Sequence, residues 1–138
     1  LVDLKESFGL TYVFISHDLN VVQYISDRVL VMYLCQVAEE GPVDEIYASP
    51  AHPYTQALLA SRPSMDPAQR RTEPPLTGDP PNPVNPPSGC RFRTRCPFAE
   101  AVCAEIPPVA ATLSPSHTAA CHMALPGSGH SKAGGMAA

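Results

Sequence analysis

Seventeen prolines crowd into 138 residues, and they gather after Gly41. Proline fixes φ and removes a backbone donor, so a Pro-rich stretch neither continues a helix nor sits inside a sheet. The chain therefore divides. Residues 1–48 can hold ordinary elements. From 62 to 87 the periodicity is lost, and Pro74-Pro75, Pro80-Pro81, Pro83 and Pro86-Pro87 favour extended backbone, a linker or an arm laid over a neighbour. Residues 88–123 form a compact, cysteine-bearing module. From 126 to 138 the chain is Gly, Ser and Ala with little to bury, which predicts disorder.

The first part reads locally. Residues 1–8 suit the last turns of a helix, and Gly9 suits the left-handed position after it. Residues 11–16, Thr-Tyr-Val-Phe-Ile-Ser, read as a buried parallel strand. Asp18 can cap a helix over 19–26, where Leu19, Val22 and Ile25 recur at helical spacing. Residues 28–34 are a second apolar strand, and 36–40 its return, with the turn near Cys35. Pro42 opens a short helix over 43–48, and Pro53 opens another through Leu59. The fold class expected is α/β.

Ser16-His17-Asp18 stands where the first strand ends, and open α/β sheets gather their chemistry beyond such ends. A neutral imidazole donates one hydrogen bond and accepts another, so His17 could tie an oxyanion to backbone or water. The plain alternative is that His17 and Asp18 only cap the next helix. Three neighbours in sequence do not make a nucleophilic triad, which is a spatial arrangement. His52-Pro53-Tyr54 reads as a helix start with Tyr54 packed inward, in preference to a ligand site.

Cys90, Cys96, Cys103 and Cys121 carry the second chemistry. Four thiolates can hold tetrahedral zinc or a 4Fe–4S cluster. Paired C-x2–4-C knuckles, the usual zinc pattern, are absent, which favours a cluster; inert thiols or disulfides stay open. His117 and His122 flank Cys121 as ligands, as partners that orient one, or as ordinary polar residues. Arg91, Arg93 and Arg95 alternate around Phe92, as on a solvated strand edge or a basic strip. Net charge is −4 with no Lys/Arg run, which argues against nucleic acid. No apolar run approaches ~20 residues, and no secretory signal is visible. The chain begins with Leu, which reads as a trimmed or truncated product.

Phe14-Ile15-Ser16-His17-Asp18-Leu19, Ser26-Asp27-Arg28-Val29, Val31-Met32-Tyr33 and Glu39-Glu40-Gly41 stand in an order that resembles ATP-binding-cassette transporter ATPases. The stretch from Ser49-Pro50-Ala51-His52-Pro53-Tyr54 to Leu59, with Pro86-Pro87-Ser88-Gly89-Cys90, Arg95-Cys96-Pro97, Cys103 and His117–His122, resembles the tail of the oligopeptide, dipeptide and nickel importer branch. The resemblance implies that residues 1–48 are the C-terminal part of a P-loop ATPase sheet. Residues 49–125 would then be the importer-type C-terminal domain. His17 matches the switch-loop histidine that contacts the ATP γ-phosphate. The four cysteines match those associated with a 4Fe–4S cluster in some members. The implied parent binds ATP and Mg²⁺ and pairs with a second ATPase subunit. It drives membrane-spanning permease subunits on the cytoplasmic face of the membrane, and indirectly serves an extracytoplasmic substrate-binding protein.

The sequence holds no G-x-x-x-x-G-K-S/T loop, no Leu-Ser-Gly-Gly signature and no apolar strand ending in Asp-Glu. This portion alone is therefore expected to be inactive as an ATPase. Cys35 stands where the family turns with glycine, which sets the tight turn against Cβ sterics. Two other readings stay open: a stand-alone iron–sulfur or zinc module, and a truncated product without function.

Overall fold

The computed structural model describes residues 1–62, 76 and 78–135. The chain is mixed α/β. In order it forms α1 (Val2–Phe8), α2 (Leu19–Ile25), β1 (Arg28–Tyr33), β2 (Gln36–Pro42), α3 (Val43–Ala48) and α4 (Pro53–Ala60). The tail adds α5 (Ala101–Glu105), β3 (Ala111–Ser114) and β4 (His117–Ala119). The four strands make one antiparallel sheet in the order β1-β2-β4-β3.

The local signals act as their chemistry requires. Gly9 adopts φ 62° and closes α1 through its N–H to the Lys5 carbonyl. Asp18 caps α2, its carboxylate accepting from the N–H groups of Asn20 (2.9 Å) and Val21 (3.2 Å). Pro53 takes the first turn of α4. The β1–β2 hairpin turns through Leu34 (φ 45°) and Cys35 (φ 62°). Two left-handed residues match the right-handed twist of a hairpin, and asparagine and glycine usually fill them. Here the tail braces the turn: the Arg91 guanidinium donates to the Leu34 carbonyl.

The strand expected over residues 11–16 is not formed. Those residues are exposed and pair with no strand among the described residues, Val13 at 92% and Ile15 at 93% exposure. A parallel strand exists only through its neighbours' hydrogen bonds, and none of the described strands runs beside it. Leu4, Phe8 and Tyr24 are likewise exposed, and neither α1 nor α2 buries a residue.

The core lies instead in the tail. Ala51, Ala111, Ala119, Cys121, Met123 and Ala124 are buried together, with Phe98, Leu113 and Leu125 packed on them. β4 pairs with β2 through Glu39↔Ala119 and Glu40↔Thr118, so the tail extends the hairpin's own sheet. Residues 126–135, which offer little to bury by composition, fold back onto the module. His130 is buried with Nε2 on the Phe98 carbonyl (2.8 Å), and the Gly134 N–H reaches the Met123 carbonyl (2.9 Å). The expected extended run at 62–87 falls largely outside the described residues. Residues 91–95 are turns rather than an alternating strand edge: Arg91 reaches Leu34, and Arg93 donates to the Ser88 carbonyl (2.9 Å).

Candidate functional site

His17 lies in the exposed bend between residues 11–16 and α2. Its neighbours are spent locally: Asp18 caps α2, and Ser16 Oγ accepts from the Asp18 N–H (3.0 Å). The imidazole makes no hydrogen bond among the described residues and borders the uncovered apolar face. α2 is held to the body at its far side. Tyr47 donates to the Leu19 carbonyl (2.6 Å), and the Arg62 guanidinium donates to Asn20 Oδ1 (2.6 Å) and Gln23 Oε1 (2.9 Å).

A buried polar junction joins body to tail, and sequence reading missed it. Glu39, on β2, is completely buried. Its carboxylate accepts from the N–H groups of Ala51 (2.7 Å) and His52 (2.9 Å) and meets His117 Nε2 at 2.7 Å. His117 Nδ1 lies 3.6 Å from Glu45, whose oxygens accept from Ser114 (2.8 Å) and Ser116 (3.1 Å). Burying a carboxylate is costly unless donors surround it, and here they do. His117 is thus an anchor between strands rather than a metal ligand. His122 donates from Nε2 to the Ile106 carbonyl (2.8 Å), which pins β4's exit to the end of α5.

Burial and neighbouring cysteines shift three of the four tail thiols. Burial pushes the Cys96 thiol up to about 11, with further raising by Cys121, Cys90 and Cys103. Cys90 and Cys121 are also raised, first by burial and then by their cysteine neighbours. Backbone N–H groups oppose this, those of Phe92 and Arg93 on Cys90, Phe98 on Cys96, and Met123 and Ala124 on Cys121. Gly89 allows a close approach of the chain to α5. At φ +63° it lies so close to α5 that a Cβ would meet the Cys103 carbonyl oxygen at 2.4 Å, and the Cys90 N–H donates to that same carbonyl (2.8 Å).

The expected metal centre is not assembled by these side chains as they stand. Among the described residues, no three His, Cys, Asp or Glu side chains are grouped closely enough to hold a metal ion. Zn–S bonds of about 2.3 Å would draw four thiolates within about 4 Å of one another. The donor chemistry fits a thiolate-bound group, since N–H donors to sulfur favour the thiolate; the spacing does not fit a single zinc ion.

Comparison with known proteins places this arrangement. Residues 38–103 match the family described as the oligopeptide/dipeptide transporter, C-terminal region. The chain is 50% identical over 127 residues to a Sinorhizobium fredii protein described as a probable peptide ABC transporter ATP-binding protein, covering 91% of this chain and 36% of the relative. It is 50% identical to the oligopeptide transport ATP-binding protein AppF of Bacillus subtilis, over 88% of this chain and 37% of that protein. With the dipeptide transport ATP-binding protein DppF of Haemophilus influenzae the identity is 49%, over 78% and 33%. The chain thus spans little more than a third of the length of the curated relatives it matches. The family match begins at Ala38 on β2 and ends at Cys103 on α5, so it takes in the Glu39 carboxylate, the α4 start and three of the four cysteines.

Proposed function

We propose that this chain is the C-terminal portion of an ATP-hydrolysing subunit that energises import of oligopeptides or dipeptides. The carrying observation is about 50% identity, over most of this chain, to peptide-transport ATP-binding proteins. The exposed apolar face supports it. Leu4, Phe8, Val13, Ile15 and Tyr24 form the surface on which the remaining two thirds of such a protein would pack. His17, free at the border of that face, is the proposed contact to the ATP γ-phosphate. Its imidazole would donate to a phosphate oxygen and help orient the attacking water. ATP and Mg²⁺ would otherwise be held by residues of the nucleotide-binding portion. The implied partners are a second ATPase subunit and membrane-spanning permease subunits, with the protein peripheral on the cytoplasmic side. No described helix is long and apolar enough to cross a membrane.

The test is steady-state hydrolysis by the chain joined to the nucleotide-binding portion of such a relative. His17→Ala is expected to lower kcat by about a hundredfold while ATP affinity stays within a few-fold. Unchanged kcat would overturn the role of His17. Isothermal titration of the 138-residue chain alone with Mg-ATP is expected to show no binding.

A second reading concerns the thiols. The occurrence of Cys90, Cys96, Cys103 and Cys121 in one tail module, and the N–H groups directed at three of them, support a thiolate-bound 4Fe–4S cluster, with zinc as the alternative. Such a cluster, when bound, would cross-link the segments that carry the four cysteines. Anaerobically purified protein is expected to be brown, with iron that is lost on Cys96→Ser. Colourless, iron-free protein would overturn this reading.

A further inference from the structure

A cavity of about 270 Å³ opens where the β1–β2 hairpin meets the tail. By liquid volume it has room for about nine waters. Its apolar wall includes Val37, Phe92 and Ala110, and its polar wall is Tyr33, Gln36, His52, Cys90 and Arg91. No carboxylate lines it, and Arg91 is its single formal charge.

Tyr33, His52 and Arg91 supply hydrogen-bond donors, beside the Gln36 amide and the Cys90 thiol. Tyr33 is 7% exposed, and its hydroxyl is buried with no partner among the described residues. A buried hydroxyl left unpaired is costly, so its retention calls for an acceptor that the protein does not supply. His52 is buried, and its Nδ1 accepts the Tyr54 N–H (3.0 Å), which leaves the ring proton on Nε2. That Nε2–H has no hydrogen-bond partner among the described residues. Burial lowers the His52 pKa to about 4, against the pull of Glu39, so the ring is neutral at pH 7. Arg91 is held in place by the Leu34 carbonyl, which occupies one of its five N–H donors. The edge-to-face and tilted packing of the Tyr33, Tyr54 and Phe92 rings fixes the apolar side, with centroids 4.8–5.4 Å apart.

Three donors, one cationic, around a half-apolar hollow without an acid are complementary to a small carboxylate with a short apolar body. We propose that this cavity is a binding site for a free dipeptide or amino acid, which would take its carboxylate from Arg91 and the Tyr33 hydroxyl. Peptide products are chosen as the source of that carboxylate on the importer reading; the donor set itself stands apart from it. The site lies on the sheet that joins hairpin to tail. A bound product would therefore brace the Leu34–Cys35 turn against the cysteine module.

The experiment is isothermal titration of the full 138-residue chain with dialanine, alanine and inorganic phosphate, without nucleotide. Saturable one-to-one binding of dialanine or alanine is expected, with phosphate at least tenfold weaker. Tyr33→Phe removes only the orphan hydroxyl. It should leave the melting temperature unchanged or slightly raised while weakening binding by about tenfold. Arg91→Gln should abolish binding but also loosens the hairpin turn, so Tyr33→Phe is the deciding variant. The proposal is overturned by no saturation at about 10 mM ligand. It is equally overturned by phosphate binding as tightly as the carboxylates, or by binding that Tyr33→Phe does not weaken. Because no ATP enters this measurement, its failure leaves the ATPase reading intact, and an inactive His17 leaves this site intact.

Discussion

Residues 1–27 and the tail are both rich in apolar side chains, yet they end in opposite states. In the tail, small and medium residues such as Ala119, Cys121, Met123 and Ala124 are buried against one another. In the first segment, Phe8, Val13, Ile15 and Tyr24 face outward, and no helical residue is buried. The difference lies in where the partners are. The tail carries its own: α5, β3, β4 and the returning residues 126–135 enclose one core. The first segment has side chains suited to a large α/β sheet and no such sheet among the described residues to meet them. Hydrophobicity alone thus does not decide burial; the supply of a second surface does.

That contrast can be broken most forcefully at Glu39. Glu39→Ala leaves His117 and two backbone N–H groups without their acceptor in the interior, and should cost about 3–5 kcal/mol in urea unfolding. The loss should appear in protection of the β2 and β4 amides while α1 exchange stays as before. Acid is the next largest lever. His52 titrates near 4 in the fold, below its ordinary 6.5, so below pH 6.5 the unfolded chain takes up a proton that the folded chain refuses. Stability should therefore fall as pH drops from 6.5 toward 4, by up to about 3 kcal/mol, and His52→Gln should flatten that slope in pH-dependent melts. A smaller effect, of opposite sign, is expected at the hairpin. Cys35→Gly relieves a left-handed residue and should add about 0.5–1 kcal/mol. The smallest is on the uncovered face. Ile15→Lys should change the stability of this chain by less than about 0.5 kcal/mol. The same substitution in a chain that includes the nucleotide-binding portion should be strongly disruptive, and equal effects in both would remove the contrast.

What could be read from the sequence was local. Gly9, Asp18, Pro42 and Pro53 each mark an element end through backbone sterics or a side-chain hydrogen bond within a few residues. The hairpin was legible from its two strands, and its turn was legible as a conflict at Cys35, whose Cβ disfavours positive φ; the second left-handed residue, Leu34, read as part of the strand. What resolves the conflict, Arg91, lies 57 residues away. The Glu39–His117 pair spans 78 residues and leaves no trace in periodicity. β3 and β4 did leave one, Ala-Thr-Leu-Ser and His-Thr-Ala about a Pro115-Ser116 turn, which marks a short hairpin. The strand expected at 11–16 fails for the reverse reason: its side chains are right, but a ladder needs a neighbour that local reading cannot supply. Of the candidate site residues, the four cysteines are not grouped closely enough, among the described residues, to hold a metal ion. His17 stays alone, and nothing in the pattern of residues pointed to the donor-lined hollow beside Tyr33.

The pairing of β4 on β2 has a mechanical result. Glu39↔Ala119 and Glu40↔Thr118 bridge the two, and the Ala120 N–H on the Ala38 carbonyl (2.8 Å) and the Glu39–His117 contact tie the ribbon further to the cysteine-bearing lobe. Tilting either end must drag the other along.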